Sequence, residues 1–330
     1  MQINWLSILR GWLVILVIIY HGSSNVHIYS SDILKDIFYQ INIFFSFRMA
    51  LFFFISGFLL YYTKIQKNSS FGVILKERIP RIIYPYLFFT IVLFSLKIIF
   101  SAHVKNPIEF SFSSFFNIFL YPKINFLWLW LWFLNAILIL FLLYPILKYS
   151  LKNKYSLLCT MLICFGFNLF FPKNIHLLDL STVAFYLLYF YSGILFSKFN
   201  LQNYFKNKIT GLGFLIFFIL SLFFDYNNLL HFYSGIGLSI YLSIYLSEKL
   251  PNLFSSFRNY YYQIYLIGPF FQLELLRLHF KIGNSNTYLI AFLLSALIGI
   301  YIPVLISKSL QKLKWPPLLK VMGFSVKKQR

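Results

Sequence analysis

Ten apolar segments recur along this chain with basic residues gathered between them, and no other feature limits its folding as much. They fall at about 6–24, 40–62, 80–100, 127–147, 155–171, 180–197, 210–224, 229–247, 259–276 and 287–306. A helix rises ~1.5 Å per residue, so about 20 apolar residues cross a hydrocarbon core of roughly 30 Å. Inside that core every backbone N–H and C=O must bond within its own segment, which selects helices. Composition agrees, because the chain is 60% hydrophobic and only 11% charged, whereas soluble domains carry about 25% charge. The expectation is an all-α polytopic membrane protein of about ten transmembrane helices.

Most of the 29 Lys and Arg residues lie in alternate connections, among them Lys64 to Arg81, Lys148 to Lys154, Lys198 to Lys208, and the tail from Lys308. The positive-inside rule then places both termini in the cytoplasm. Residues 1–307 are expected to form one membrane domain of about ten helices, and 308–330 a basic cytoplasmic tail. The formal charge of +21 is loop charge, which meets membrane lipids and argues against a nucleic-acid partner. Cys159 and Cys164 sit five apart in one apolar run without metal-ligand neighbours, so they read as buried small residues, and no metal site is expected. The first apolar run has no preceding basic region and no small-residue cleavage site, so it reads as the first span.

Polar residues placed where lipid is expected carry the functional signal. Arg10 and His21 lie eleven residues apart in the first apolar run. At about 100° per residue they share one helix face, roughly 16 Å apart. An ionisable group that deep needs a partner or a task, and a histidine suits general-base catalysis on a hydroxyl. Arg48 lies inside the second span, followed by Phe52-Phe53-Phe54-Ile55-Ser56-Gly57, whose small pair permits close helix approach or an opening beside the helix. Arg78 and Arg81 share a face if Pro80 opens the third helix. Two guanidinium forks there suit a phosphorylated donor or, alternatively, lipid head groups. Asn125, Trp128, Trp130, Trp132, Phe133 and Asn135 open the fourth span, where the tryptophans read as an interfacial belt, with Trp132 or Asn135 alternatively lining a polar acceptor entry. Asp225, Asn227, Asn228 and His231 form one polar group, and Gln272, Glu274, Arg277 and His279 another, with Glu274 and Arg277 at pairing distance on a helix. His27, His103, His176, His231 and His279 fall in loops or at helix ends, where a solvated surface is expected.

These residues resemble the acyltransferase-3 family of integral membrane acyltransferases, which includes bacterial O-antigen and other polysaccharide O-acetyltransferases. Arg10 and His21 match its arginine, ten residues, histidine pattern. Phe53, Ile55, Ser56 and Gly57 match its Ser-Gly motif, Arg78 with Arg81 its Arg-x-x-Arg loop, and Trp132-Phe133-Leu134 its Trp-Phe-Leu opening. The resemblance implies transfer of an acyl group, usually acetyl, from cytoplasmic acetyl-CoA as co-substrate, with no permanently bound cofactor. The acceptor it implies is a hydroxyl of an envelope glycan or its lipid-linked precursor, in a bacterial inner membrane and beside envelope-glycan assembly proteins. In these terms His21 and Arg10 are catalytic, and Arg78, Arg81, Ser56, Gly57 and Arg48 bind the donor. The sequence departs from the family pattern at Ser7, where an acidic residue is frequent, and at Gly268, where a histidine is common. An exporter or flippase of a lipid-linked sugar is the alternative, since Arg48 in the bilayer and a basic face also suit passage of an anionic lipid.

Overall fold

The computed structural model describes residues 4–23, 32–99, 101, 111–122, 131–224, 228–282 and 287–324. In chain order the helices are α1 (Asn4–Ser23), α2 (Asp32–Phe44), α3 (Arg48–Leu60), α4 (Phe71–Glu77), α5 (Ile79–Ile99), α6 (Phe112–Leu120), α7 (Trp132–Leu142), α8 (Tyr144–Ser150), α9 (Lys154–Phe170), α10 (Leu180–Lys198), α11 (Lys208–Ser221), α12 (Leu229–Lys249), α13 (Tyr261–Ile282), α14 (Tyr288–Leu313) and α15 (Pro316–Val321). Several starts follow from a capping side chain that satisfies an orphan backbone N–H. Ser111 accepts from Ser114 N, Asn153 from Ser156 N, Asn207 from Ile209 N and Asn228 from His231 N.

The expected count of about ten spans is corrected by the helices themselves. Among the described residues six are long and apolar enough to cross a membrane: Asn4–Ser23, Lys35–Ile65, Phe71–Ile99, Leu177–Lys198, Leu229–Lys249 and Tyr288–Leu313. A seventh is added if α7 and α8, bent by 54°, form one broken span. The segment expected at 127–147 breaks where Pro145 enters the first turn of α8. The segments at 155–171 and 210–224 become α9 and α11, with 17 and 14 residues, which rise only about 25 and 21 Å. The segment at 259–276 becomes α13, long enough but carrying Gln263, Gln272, Glu274 and Arg277. Among the described residues six spans leave both termini on one side of a membrane, and counting the broken pair as a seventh separates them.

The chain divides into two compact units. The first is Met1–Phe52 with Phe199–Leu313, and the second is Phe53–Lys198 with Lys314–Arg330. In the first unit α1 is the inner helix, because 72% of its apolar window is buried against 39% for α14. A helix that is apolar on all sides belongs inside a bundle. Val14 and Ile18 of α1 pack with Ile264 of α13, Ile300 and Val304 of α14, and Phe257. A second cluster joins Phe38, Leu276, Tyr288, Ala291 and Phe292. In the second unit α3 and α10 cross at very short range. A Cβ on Gly57 would fall on the carbonyl of Phe190, and one on Gly193 on the carbonyl of Phe54. Gly57 therefore provides close helix approach here, one of the two readings open to the Ser-Gly pair.

Candidate functional site

His21 lies in the last turn of α1, 9% exposed. Two side chains from other helices hold the backbone around it. Gln272 Nε2 of α13 donates to the Ile18 carbonyl at 2.9 Å, and Tyr288 Oη of α14 donates to the Gly22 carbonyl at 3.2 Å. Ser23 Oγ adds a 2.7 Å bond with Asn42 Oδ1 of α2. The turn carrying His21 is thus tied to three helices, which holds in place the backbone from which the imidazole projects.

Arg48 stands close enough to His21 for their charges to interact. Its guanidinium lies 3.5 Å above the Tyr20 ring centroid, and Nη1 donates to the Phe45 carbonyl at 3.1 Å. The Tyr20 ring meets His21 at 5.2 Å, edge on. A positive charge inside an apolar span is thereby held by a ring face and a carbonyl beside the histidine. Arg10 is on the same face of the continuous α1, eleven residues earlier, so roughly 16 Å away. Its guanidinium carbon is 5.0 Å from the Tyr261 ring centroid, and its buried Nε has no hydrogen-bond partner among the described residues. Between these positions α1 presents Leu13, Val14 and Val17 to a small apolar cleft completed by Phe52, Tyr261, Ile264 and Tyr265.

The remaining candidates belong to the second unit. The end of α3 continues as a short π-helix, Tyr61–Ile65, a widened turn that recurs at functional sites. Arg78 Nη2 donates to Thr63 Oγ1, Lys64 pairs with Glu77, and Glu77 lies within charge range of Arg78 and Arg81. Lys148 Nζ and Tyr144 Oη both donate to the Ser69 carbonyl. Lys64, Arg78 and Arg81 lie within charge range of the single carboxylate of Glu77, which leaves a cationic excess suited to phosphate.

The structure thus brings His21 and Arg48 together and keeps Arg78 with Arg81, while Gly57 serves the α3–α10 crossing and Ser56 is half-buried. Tyr20, Asn42 and Tyr288 escape sequence reasoning, since a tyrosine or asparagine carries no signal until its contacts exist. Gln272, by contrast, is legible as a polar residue in an apolar run. Of the histidines expected at the surface, His231 is corrected. It is fully buried among Phe47, Phe218 and Phe232, with Nδ1 2.9 Å from Ser221 Oγ. Cys159 is exposed on α9 rather than buried, while Cys164 is buried. Arg277 does pair with Glu274. Asn125, Trp128, Trp130, Asp225, Asn227, His27 and His103 lie outside the described residues.

The chain matches the family model described as an acyltransferase domain over residues 3–310. It belongs to the acyltransferase-3 family. No curated protein and no solved structure matches it. As a member of this family with six or seven helices among the described residues long and apolar enough to cross a membrane, the protein is a multi-pass membrane acyltransferase.

Proposed function

We propose that this acyltransferase-3 protein moves an acyl group, acetyl in the simplest case, from cytoplasmic acyl-CoA to a hydroxyl of an envelope glycan or its lipid-linked precursor in a bacterial inner membrane. The observation that carries the proposal is the pairing of a buried, backbone-anchored His21 with Arg48. General-base transfer to a hydroxyl needs a base held still and a positive charge for the developing oxyanion.

In this reading His21 removes the proton from the acceptor hydroxyl as its oxygen attacks the thioester carbonyl. The C–O bond forms, and the carbonyl oxygen takes negative charge facing Arg48. The C–S bond then breaks, and the thiolate leaves with the proton that His21 returns. Arg78 and Arg81 bind donor phosphates within their own basic region. Arg10, stacked on Tyr261, ties α1 to α13 and adds positive charge on the face that carries His21. Envelope-glycan assembly proteins are the natural neighbours of such an enzyme.

The test compares His21→Ala with wild type in intact cells by mass spectrometry of envelope glycans. The expected result is loss of one acyl mass per repeat while the variant stays inserted and abundant. Unchanged acylation refutes the role of His21, and a change in glycan amount without changed decoration points to export.

A further inference from the structure

The second unit encloses a polar cluster that the transfer step does not use. Asp179 is fully buried, and it ends a short 3₁₀ turn, Leu177–Asp179, that leads into α10. Leu178 and Asp179 hold φ of 50° and 55°, a region that side-chain-bearing residues seldom adopt. Thr182 Oγ1 donates to Asp179 Oδ1 at 2.7 Å, and Asn135 Nδ2 of α7 donates to the Leu178 carbonyl at 2.7 Å. Tyr86 of α5 packs edge-on against Phe119 and lies close enough to Asp179 to feel its charge. Tyr86 is 6% exposed, and its buried hydroxyl has no hydrogen-bond partner among the described residues. A buried tyrosine hydroxyl normally finds one, so this hydroxyl is a donor awaiting a ligand.

Beside the polar cluster stands an aromatic platform. Trp132 precedes Asn135 by three residues on α7, and Tyr186 follows Thr182 by four on α10, so each pair shares a helix face. Trp132 stacks on Tyr186 at 5.9 Å and 22°, and Tyr186 on Phe53 at 4.5 Å and 13°. Trp132 and Tyr186 are half-buried, whereas Asp179, Asn135, Thr182 and Tyr86 are buried. The face therefore combines a reachable flat apolar surface with a deeper set of hydroxyl, amide and carboxylate groups.

We propose that this face binds a pyranose ring. The C–H face of a sugar is apolar and flat enough to lie on the Trp132 ring at the half-buried end of this aromatic group. Its hydroxyls both donate and accept, matching a carboxylate at Asp179, an amide at Asn135 and a donor at Tyr86. A phosphate would meet the buried carboxylate, which repels it. A divalent cation needs several acidic or histidine ligands, and among the described residues no such group exists. The site deepens the proposed function, because it gives the acceptor's sugar a place of its own, and it rests on that reading only for the sugar's role as acceptor.

The test is saturation-transfer NMR on the full chain in nanodiscs, with methyl and p-nitrophenyl hexopyranosides, N-acetylhexosaminides included, as probes. Wild type is expected to bind at least one saturably in the millimolar range. Tyr86→Phe should weaken that binding about tenfold, the loss of one buried hydrogen bond to ligand, without lowering the thermal midpoint. Asp179→Asn and Trp132→Ala should weaken it at least as much, and His21→Ala should leave it intact. A purely structural Tyr86 predicts an unchanged or higher midpoint with unchanged binding. No saturable binding by wild type, or equal binding by Tyr86→Phe and Asp179→Asn, overturns the proposal. Loss of transfer in His21→Ala with glycoside binding retained separates this site from the chemistry, and a failed His21 prediction leaves it standing.

Discussion

Gln272→Leu separates the positioning of His21 from the stability of the bundle. Gln272 is fully buried, and its Nε2 bonds the Ile18 carbonyl while its Oε1 has no partner among the described residues. Replacing it with leucine removes one hydrogen bond, about 0.5–1.5 kcal/mol, and also removes a buried unsatisfied oxygen, whose penalty is about 1–3 kcal/mol. The Ile18 carbonyl stays in the helical ladder of α1, and leucine is nearly isosteric with glutamine. The net stability change therefore lies between a loss of about 0.5 and a gain of about 2.5 kcal/mol, with stabilisation favoured. Activity should respond differently, because the turn carrying His21 loses one of its external anchors. A displacement near 1 Å at a reacting group costs on the order of 100-fold in rate. The assay pairs thermal unfolding in nanodiscs, followed by tryptophan fluorescence, with acyl-CoA-dependent acylation of membrane glycan per folded protein. The expected outcome is an unchanged or raised midpoint, kcat lower by about 10- to 100-fold, and partial rescue by Gln272→Asn. A destabilised variant with wild-type kcat per folded molecule refutes the argument.

Two further predictions rest on the second unit. Gly57→Ala places a methyl on the Phe190 carbonyl, and overpacking costs about 1–3 kcal/mol while the helical preference of alanine returns at most about 1. The thermal midpoint should fall, and adding Gly193→Ala at the same crossing should cost less than a second full penalty. Additive losses would show that the two glycines do not share a contact. Arg78→Gln keeps the bond to Thr63 possible but removes one charge from the cationic group. The KM for acyl-CoA should rise about tenfold, with kcat nearly unchanged, as read by initial rates over donor concentration. An unchanged KM with a reduced kcat would place Arg78 outside donor binding.

The His21 region shows how far composition and spacing reach. Arg10 and His21 share a face of α1 because helix geometry alone decides that, and the spacing was sufficient to read it. Which charges meet is another matter. Arg48, set among phenylalanines in the second span, does not announce that it will stand beside His21 and over Tyr20. Arg10 has no acidic partner three residues earlier, and its contact is Tyr261, a residue 251 positions later with nothing local to mark it. Asp179 is similar. In sequence it sits in a presumed outer connection, and only the 3₁₀ turn and the approach of α5 and α7 bury it.

Hydropathy by itself determined that the chain is helical and membrane-bound, because long apolar runs admit no other way to satisfy the backbone in lipid. It did not determine how many helices cross. That count depends on where Pro145 breaks a run, how short α9 and α11 are once capped, and whether the polar residues of α13 are bonded inside the bundle, as Gln272 is. These are properties of ends and partners rather than of average hydrophobicity. Tertiary structure alone decided the environment of His21, since its anchors come from α2, α13 and α14, brought together by packing that no local pattern encodes.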